Sequence, residues 1–523
     1  MIPSKPIRVL VDLTRLRSGG DGGGIKPALL GMLRWLGRYG GGRLQFVYIT
    51  SVPTLAQVHD LASPADLVIT PTNDPADLAA RYGCDVVYCP FGFTDFACPG
   101  IPTITLVVDL LHKDYLKTMP EPDRIYRDQG YQAARAVTDR YQVISDFTAA
   151  RLLECYGVTP ARIFRTYLPV HERLTNGENA PRSPSGSGRP YFLYPAKFWL
   201  HKNHEVLLQA YALYRHQSGA DAWSLVLAGY TNPARQAHLE HTARSLRIEA
   251  NIMFAGYVSE AKLAELYRAA GALAFPSLYE GFGIPLIEAM AHDIPIIASR
   301  AAAIPEVVGS AAILVDAQDP IALAGAMQRL AGDAGLRATL VKRGQVRLAD
   351  FSPDAEFGRL LAEIERAAQL PARWQRSGYS PIDGLTAPLS IFGLPRAAGE
   401  ITLRLSNRPL WVNRTLQLFC GRELLAERFI PAHRAAQIAV TFRPAARAVT
   451  LRVMDASSLC STDPRIHGIL LDSLRAETAD GKVHNLLATD APFELPPDQL
   501  KPQPDRAKEH SQTLDPSVTH RLG

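Results

Sequence analysis

Short apolar strands alternate with amphipathic helices through the first 370 residues of this 523-residue chain, in two successive series. Strands that are apolar on both faces are typical of parallel sheets buried under helices. The first series contains IRVLVDL (7–13), LQFVYIT (44–50), DVVYCP (85–90), TITLVVDL (103–110) and RYQVIS (140–145). The second contains YFLYPA (191–196), SLVLAG (224–229), NIMFAG (251–256), ALAFPS (272–277), IPIIAS (294–299) and AAILVD (311–316). Each series is about as long as one doubly wound α/β domain, so we expect two such domains facing each other across a cleft.

A segment rich in Pro, Gly, Ser and Asn, TNGENAPRSPSGSGRP (175–190), separates the two series and is the best linker signal in the chain. We therefore expect an N-terminal Rossmann-like domain over residues 1–175 and a second Rossmann-like domain over residues 190–350. The stretch FSPDAEFGRLLAEIERAAQ predicts a terminal helix of this α/β unit over residues 351–370.

The pattern then changes to one that is typical of antiparallel strands. The clearest examples are EITLRLS (400–406), QIAVTF (437–442), AVTLRVMD (448–455) and GILLDSL (468–474). They predict an all-β, sandwich-like domain over residues 375–495. Such a domain could bind a glycan, contact a partner or cap the preceding domains, and the sequence leaves these alternatives open. Residues 496–523 are polar and contain proline, so we expect a disordered tail.

Composition excludes several classes of function. The net charge of +5 is small for this length and no block of Lys and Arg occurs, so no nucleic-acid partner is expected. No apolar run reaches the ~18 residues of a membrane span, and the N-terminus shows no signal-peptide pattern. We therefore expect a cytoplasmic protein, with peripheral contact to the inner face of the membrane left open. The six cysteines lack metal-ligand spacing.

One short apolar stretch, SLYEGFGIPLIEAMA (277–291), carries two glutamates. It lies between two predicted strands, so IPLIEAMA is expected to be a helix and YEGFG the loop that enters it. In open α/β sheets, ligands bind beyond the carboxyl ends of the strands, where helix N-termini present free backbone N–H groups. Gly281 and Gly283 would let the backbone approach a diphosphate closely. The carboxylates of Glu280 and Glu288 would then reach hydroxyl groups on either side of the phosphates.

Together with IPEVVGSAAILVDAQDP, the segment LYEGFGIPLIEAMAHDIPIIAS closely resembles the donor-binding signature of family 4 of the retaining glycosyltransferases of GT-B fold, the Glu-x7-Glu enzymes. The resemblance extends over about residues 7–370 and is closest between 190 and 320. It implies two Rossmann-like domains and a nucleotide-diphosphate sugar held mostly by the second one. It also implies that no metal ion or other cofactor is required.

By this resemblance, Glu280 contacts the donor sugar and Glu288 binds the ribose hydroxyls. The backbone of Gly281, Phe282 and Gly283 is expected to cradle the sugar and the phosphates.

An enzyme without a metal must neutralise the leaving diphosphate with protein charge. The stretch YPAKFWLHKNHEVLL (194–208) offers Lys197 and Lys202 directly after the first strand of the second domain. Relatives often carry Arg at the first of these positions, so Lys197 is a departure that keeps the charge and loses bidentate binding. His201 and His204, in the same stretch, are interpreted as structural.

The first domain offers weaker signals. RSGGDGGGIKPALLGML (17–33) resembles the glycine-rich loop that lies beside the diphosphate in this family, which makes Gly23 and Gly24 donor-binding candidates. Many relatives carry His-Asp-Leu after the fourth strand, with the His near the reacting sugar. This chain has Val108-Asp109-Leu110 instead, so His112 is a catalytic candidate for that role, with a purely structural histidine as the alternative.

The helix that follows the fifth predicted strand begins in VISDFTAARLLECYGV (143–158), where Ser145 and Asp146 are expected to cap it.

The resemblance predicts a retaining transferase that moves a hexose to a glycan or lipid-linked glycan acceptor in cell-surface polysaccharide or lipopolysaccharide biosynthesis. GDP-mannose is the expected donor, and UDP-hexoses stay open. One alternative is a nucleotide-sugar epimerase of the same fold, which needs no external acceptor. Another is a non-catalytic regulator that binds a sugar nucleotide, which would not need cations aimed at a leaving group.

Overall fold

The computed structural model describes residues 5–18, 25–40, 42–70, 77–168, 190–229, 232–372, 374–379, 386–395, 399–408, 410, 412–444, 446–454, 468–469 and 471–487. The predicted linker, apart from Pro190, and the predicted tail lie outside these ranges. Within them, every helix is too short or too polar to cross a lipid bilayer.

Seven parallel strands form the first sheet, as expected for the first α/β unit. They are β1 (Ile7–Leu13), β2 (Leu44–Thr50), β3 (Leu67–Ile69), β4 (Val86–Cys89), β5 (Thr103–Val107), β6 (Arg140–Val143) and β7 (Ile163–Arg165). Their order across the sheet is β3-β2-β1-β4-β5-β6-β7, so the strand order reverses between β1 and β4. The accompanying α-helices are Ile25–Tyr39, Leu55–His59, Leu78–Arg81, Leu111–Asp114, Glu121–Val137 and Asp146–Tyr156. The sequence did not predict β3 and β7, because three residues at a sheet edge are too few for a periodic pattern.

Six parallel strands form the second sheet, and the sequence predicted all of them. They are β8 (Tyr191–Pro195), β9 (Ser224–Ala228), β10 (Ile252–Gly256), β11 (Ala272–Phe275), β12 (Ile296–Ser299) and β13 (Ala312–Val315). Their order is β10-β9-β8-β11-β12-β13. The helices of this unit are His204–Ser218, Pro233–Ser245, Glu260–Ala269, Ile284–Ala291, Ile304–Val308, Pro320–Gly332 and Ala334–Leu348. The strands β8 and β11 lie side by side at the centre of the sheet, so the loops that follow them are neighbours.

The predicted terminal helix spans Pro353–Gln369 and returns to the first unit. Its Phe357 ring lies 5.4 Å from the Trp35 ring, between ring centroids. Its Glu363 Oε2 accepts a hydrogen bond of 2.7 Å from Arg140 Nη2. The helix therefore connects the end of the second unit to the core of the first.

The C-terminal region is all-β, as predicted. Its strands are β14 (Arg376–Tyr379), β15 (Thr386–Gly393), β16 (Ile401–Asn407), β17 (Arg414–Cys420), β18 (Glu423–Ile430), β19 (Gln437–Phe442), β20 (Ala448–Val453), β21 (Leu471–Thr478) and β22 (Val483–Asn485). They form two antiparallel sheets, of order β14-β15-β20-β17-β18 and β19-β16-β21-β22. The four strands named from the sequence all have counterparts here.

This sandwich packs directly on one face of the first sheet. Successive residues of a strand point to opposite faces; in β1, Val9 and Val11 face the core under the helices, whereas Leu10 belongs to the core shared with the sandwich. Other buried members of this shared core are Val47, Ile49, Val87, Ile391, Phe392, Val449 and Leu451. The connection between β4 and β5, residues 90–102, contains no helix. The sandwich therefore covers sheet surface that a crossover helix would otherwise cover.

Gly100 lies at a close contact between the sandwich and the first unit. Its backbone N–H donates to Trp374 O at 2.8 Å. A Cβ added at Gly100 would lie 2.6 Å from Gly393 Cα and 2.7 Å from Arg447 O, both of them backbone atoms. Nearby, Arg447 Nε lies 3.6 Å from Asp85 Oδ1. The sandwich is thus packed as part of the molecule and not as a loosely tethered module.

This contact predicts that Gly100→Ala destabilises the protein more than Gly42→Ala. Both glycines have a left-handed backbone, with φ +78° and φ +73°, so both substitutions incur the same backbone penalty. Only Gly100 also meets backbone atoms, whereas nothing lies within 4 Å of the Cβ position at Gly42. We expect an additional loss of about 1–3 kcal/mol in the free energy of unfolding, measured by chemical denaturation. Equal losses would mean that the sandwich is not packed tightly at this point.

Candidate functional site

A cavity of about 960 Å³ lies between the two parallel sheets and is lined by residues of both units. The first unit contributes the start of helix Ile25–Tyr39 and the loop after β5, and the second unit contributes the loops after β8 and β11. The cavity is therefore at the carboxyl ends of parallel strands, where ligands bind in such sheets. Its size is within the range of ~300–1,000 Å³ that is typical of small-molecule sites.

The structure brings most of the predicted site residues together. Those that line the cavity are Lys197, Lys202, Glu280, Gly281, Phe282, Gly283 and Glu288. Gly23 and Gly24 lie outside the described residues. Lys26, just after them, lines the cavity and donates a hydrogen bond from Nζ to Arg17 O at 2.6 Å. His112 does not line the cavity.

The loop between β11 and helix Ile284–Ala291 depends on two glycines. Gly283 has φ +105°, a backbone conformation that side chains disfavour, and it precedes the first helical turn with its Pro285. Gly281 is needed for a different reason, because a Cβ there would lie 1.9 Å from Val108 O of the first unit. One glycine therefore shapes the loop and the other lets it contact the opposite unit.

The two predicted carboxylates are held differently. Glu280 forms an ion pair with Lys202, at 2.6 Å between Oε1 and Nζ, and both side chains are largely buried. Glu288 is 2% exposed and its Oε2 accepts a hydrogen bond of 2.8 Å from Tyr267 OH. Both carboxylates thus have fixed positions at the cavity.

Backbone contacts fix the position of Lys202. It ends the short 3-10 helix Leu200–Lys202, and its carbonyl oxygen accepts a hydrogen bond of 2.7 Å from Tyr194 OH. The next residue, Asn203, has φ 61° and donates from Nδ2 to Pro276 O at 3.1 Å. The loops after β8 and β11 are thereby joined, which places the lysine beside Glu280. The other predicted cation, Lys197, has its Nζ 5.0 Å from the centre of the Trp199 ring.

His112, a catalytic candidate from the sequence, is held in the core of the first unit. It is 1% exposed, its Nε2 is 2.7 Å from Tyr156 OH, and its ring stacks on that of Tyr131. Burial, together with the charge of Arg127, lowers the pKa of His112 to about 4. In this arrangement the imidazole packs between helices and does not reach the cavity.

The cavity lining also includes residues that the sequence analysis did not select, among them Asp109, Arg127 and His201. Arg127 Nη1 lies 3.4 Å from Asp109 Oδ1. Burial alone would raise the pKa of Asp109, but the Arg127 charge and the hydrogen bond from the Leu111 amide outweigh it, so this pKa lies below its usual range. The sequence did not indicate Asp109 as a site residue, because the predicted strand 103–110 included it, whereas β5 ends at Val107. Arg127 lies within a helix and carried no local signal.

Among the residues that the structure describes, no group of three His, Cys, Asp or Glu side chains is arranged to hold a metal ion.

Polar contacts hold the two units together beside the cavity. Glu306 accepts hydrogen bonds from the backbone N–H groups of Asp146 and Phe147, at 2.8 and 3.0 Å. Ser145 caps the same helix by accepting from Thr148 N, as the sequence predicted for it, and its Oγ also donates to Gly281 O at 2.7 Å. The helix start of one unit is thus stabilised by the other.

Comparison with known proteins relates the second α/β unit to one family. Residues 176–347, about one third of the chain, match the family model described as "Glycosyl transferases group 1". The O-antigen chain mannosyltransferase B of Escherichia coli is 29% identical over 259 residues, which cover 47% of this chain and 66% of that protein. The chain spans between 34% and 66% of the length of eight curated relatives that it matches.

Solved structures share the fold. A glycosyltransferase from Rickettsia africae has a TM-score of 0.56 at 17% identity, with 69% of this chain and 98% of that chain covered. Anabaena HepE, solved in complex with UDP, has a TM-score of 0.53 at 15% identity, with 69% and 100% covered. At such identities the likeness concerns the fold, and it confirms the expected GT-B arrangement of two Rossmann-like units.

The contact of Glu306 across the two units predicts the effect of its removal. In Glu306→Ala, the amides of Asp146 and Phe147 should exchange hydrogen roughly 5-fold faster, because a helix cap is typically worth about 1 kcal/mol. Hydrogen-exchange mass spectrometry of peptides that cover residues 144–150 measures this.

The matched control is Asp319→Ala, since Asp319 accepts from Ile321 N and Ala322 N within the second unit. That variant should weaken only its own helix. Unchanged exchange at Asp146 and Phe147 in Glu306→Ala would contradict the assignment.

Proposed function

We propose that this chain is a retaining glycosyltransferase that transfers a hexose, mannose from GDP-mannose being the expected case, to a glycan or lipid-linked glycan acceptor in cell-surface polysaccharide biosynthesis. One observation carries the proposal: a single cavity collects Lys197, Lys202, Glu280 and Glu288 within the segment that matches the glycosyltransferase model. The likeness to a mannosyltransferase supports mannose. UDP-hexoses are the second donor class, since HepE was solved with UDP.

The proposed donor pose follows from the fixed carboxylates. Glu288 is buried and accepts from Tyr267 OH, so it presents a preorganised acceptor for ribose hydroxyls. Glu280 lies on the loop nearer the first unit, which suits a contact with the hexose. The diphosphate would lie between them, at the start of helix Ile284–Ala291, where free backbone N–H groups favour an anion.

The proposed chemistry uses the two lysines. The acceptor hydroxyl oxygen forms a bond to the anomeric carbon on the face from which the diphosphate leaves, and the bond from that carbon to the diphosphate oxygen breaks. The leaving diphosphate keeps the electron pair, and its phosphate oxygen takes the proton of the hydroxyl group. Lys197 and Lys202 stabilise the developing charge, for which Lys202 exchanges its ion pair with Glu280 for one with the phosphate.

The proposal gives no catalytic role to His112, because its imidazole is enclosed by Tyr131 and Tyr156. It retains the expectations that no metal ion is required, that the protein acts in the cytoplasm and that it has no nucleic-acid partner. Peripheral contact with the inner face of the membrane would bring it to a lipid-linked acceptor.

Release of nucleoside diphosphate tests the function. The protein is incubated with GDP-mannose or UDP-glucose, with and without a crude glycolipid acceptor fraction, and with and without EDTA. The transferase predicts release that acceptor stimulates and that EDTA leaves unchanged. An epimerase would convert the donor without acceptor, and a non-catalytic regulator would bind GDP or UDP without turnover; either result would refute the proposal.

The two glutamates should differ in their effects. Glu288→Ala should raise the dissociation constant of GDP or UDP roughly 10-fold, because ribose contacts are the same in the ground and transition states. Glu280→Ala should mainly lower kcat, by roughly 100-fold, because contacts to the reacting sugar strengthen as charge develops on it. Calorimetry and initial rates measure the two quantities.

The control is Glu265→Ala, since Glu265 pairs with Lys262 on an exposed helix surface and should change neither quantity. If both site variants altered binding and turnover alike, the separate roles would be wrong.

A further inference from the structure

His201 lies at the cavity wall and not in the core, although the sequence suggested a structural histidine. It is the middle residue of the 3-10 helix Leu200–Lys202, lines the cavity and is 6% exposed. Its carbonyl oxygen accepts a hydrogen bond of 2.7 Å from Leu278 N. The residue is therefore fixed between the loops after β8 and β11.

The surroundings of His201 come from both units. The charges that act on its imidazole are those of Lys202 and Glu280 from the second unit, and of Asp109 and Arg127 from the first. Its Nδ1 is buried and has no hydrogen-bond partner among the described residues. Buried polar atoms usually have a partner, and what distinguishes His201 from the equally unpaired His204 is its place in the cavity lining, within reach of a ligand.

The imidazole is uncharged at neutral pH. Burial, together with the charge of Lys202, lowers the pKa of His201 to about 4. A neutral imidazole offers one N–H donor and one acceptor nitrogen, and either of them can pair with a sugar hydroxyl group, which both donates and accepts hydrogen bonds.

Among the described residues of the first unit, no histidine lines the cavity. Val108 precedes Asp109 in the cavity wall, and its carbonyl oxygen packs against Gly281. His112 is turned into the core.

We propose that His201 hydrogen-bonds a hydroxyl group of the transferred hexose and positions it between donor and acceptor, a role that rests on the proposed transferase function. In this proposal the histidine that contacts the sugar belongs to the second unit, and it directly precedes Lys202, which is proposed to contact the diphosphate.

The test compares the same substitution at two neighbouring histidines. His201→Phe keeps a ring and removes both nitrogens. His204→Phe makes the same change at a residue that is fully buried between Tyr194 and Phe198 and does not line the cavity. For each variant, kcat and KM are measured with GDP-mannose and UDP-glucose, binding of GDP and UDP by calorimetry, and thermal stability by scanning calorimetry.

His201→Phe should lower kcat roughly 10-fold or more and leave GDP or UDP binding within about threefold of wild type, as expected for the loss of one hydrogen bond to the sugar. His204→Phe should change stability without changing kcat. His201→Gln, which restores a hydrogen-bonding group without adding bulk, should recover part of the lost turnover and provides the comparison if His201→Phe does not fold.

Wild-type kcat in both His201 variants would overturn the inference, as would a kcat loss that the two phenylalanine variants share. If wild-type protein turns over neither donor, the proposed function itself fails, so the two failures are distinguishable.

Discussion

The site depends on the close approach of the loop 277–283 to the backbone of the first unit. Val108 O occupies the space that a side chain on Gly281 would need, so only glycine allows the loop to come this close to the first unit. The approach places the ion pair of Lys202 and Glu280 opposite Asp109 across one cavity. Neither sheet by itself contains a complete site. The packing of the two units against each other therefore also sets the positions of the residues that line the cavity.

The sandwich buries the face of the first sheet that the helices leave uncovered. A parallel sheet needs cover on both faces, and residues 90–102 supply no helix to cover the surface near Leu10 and Val87. Sandwich residues such as Phe392 take that place. The sandwich therefore covers one face of the first sheet. A role in binding acceptor would have to use surfaces other than the buried one.

The local parts of this structure could be read from the sequence, and the contacts between distant parts could not. Glu280 and Lys202 were predictable because each follows a strand whose apolar pattern is clear, and the carboxyl ends of neighbouring parallel strands meet. His112 and His201 illustrate this limit, because His112 packs in the core of the first unit whereas His201 lines the cavity. Their environments are set by Tyr156 and by the loop at Leu278, which lie far away in sequence. The docking of the sandwich likewise has no local signal.

The shared core also constrains how the chain can be made. Synthesis proceeds from the N-terminus, so β1 to β5 emerge long before Val449 and Leu451, which complete their cover. At the usual rate of ~5–20 residues per second, the intervening stretch takes roughly 20–70 s to translate. Throughout this interval an apolar surface of the nascent first sheet lacks its native neighbour. An exposed apolar sheet surface favours aggregation while the chain is incomplete, and the native cover of the first sheet is complete only when the C-terminal strands have been made.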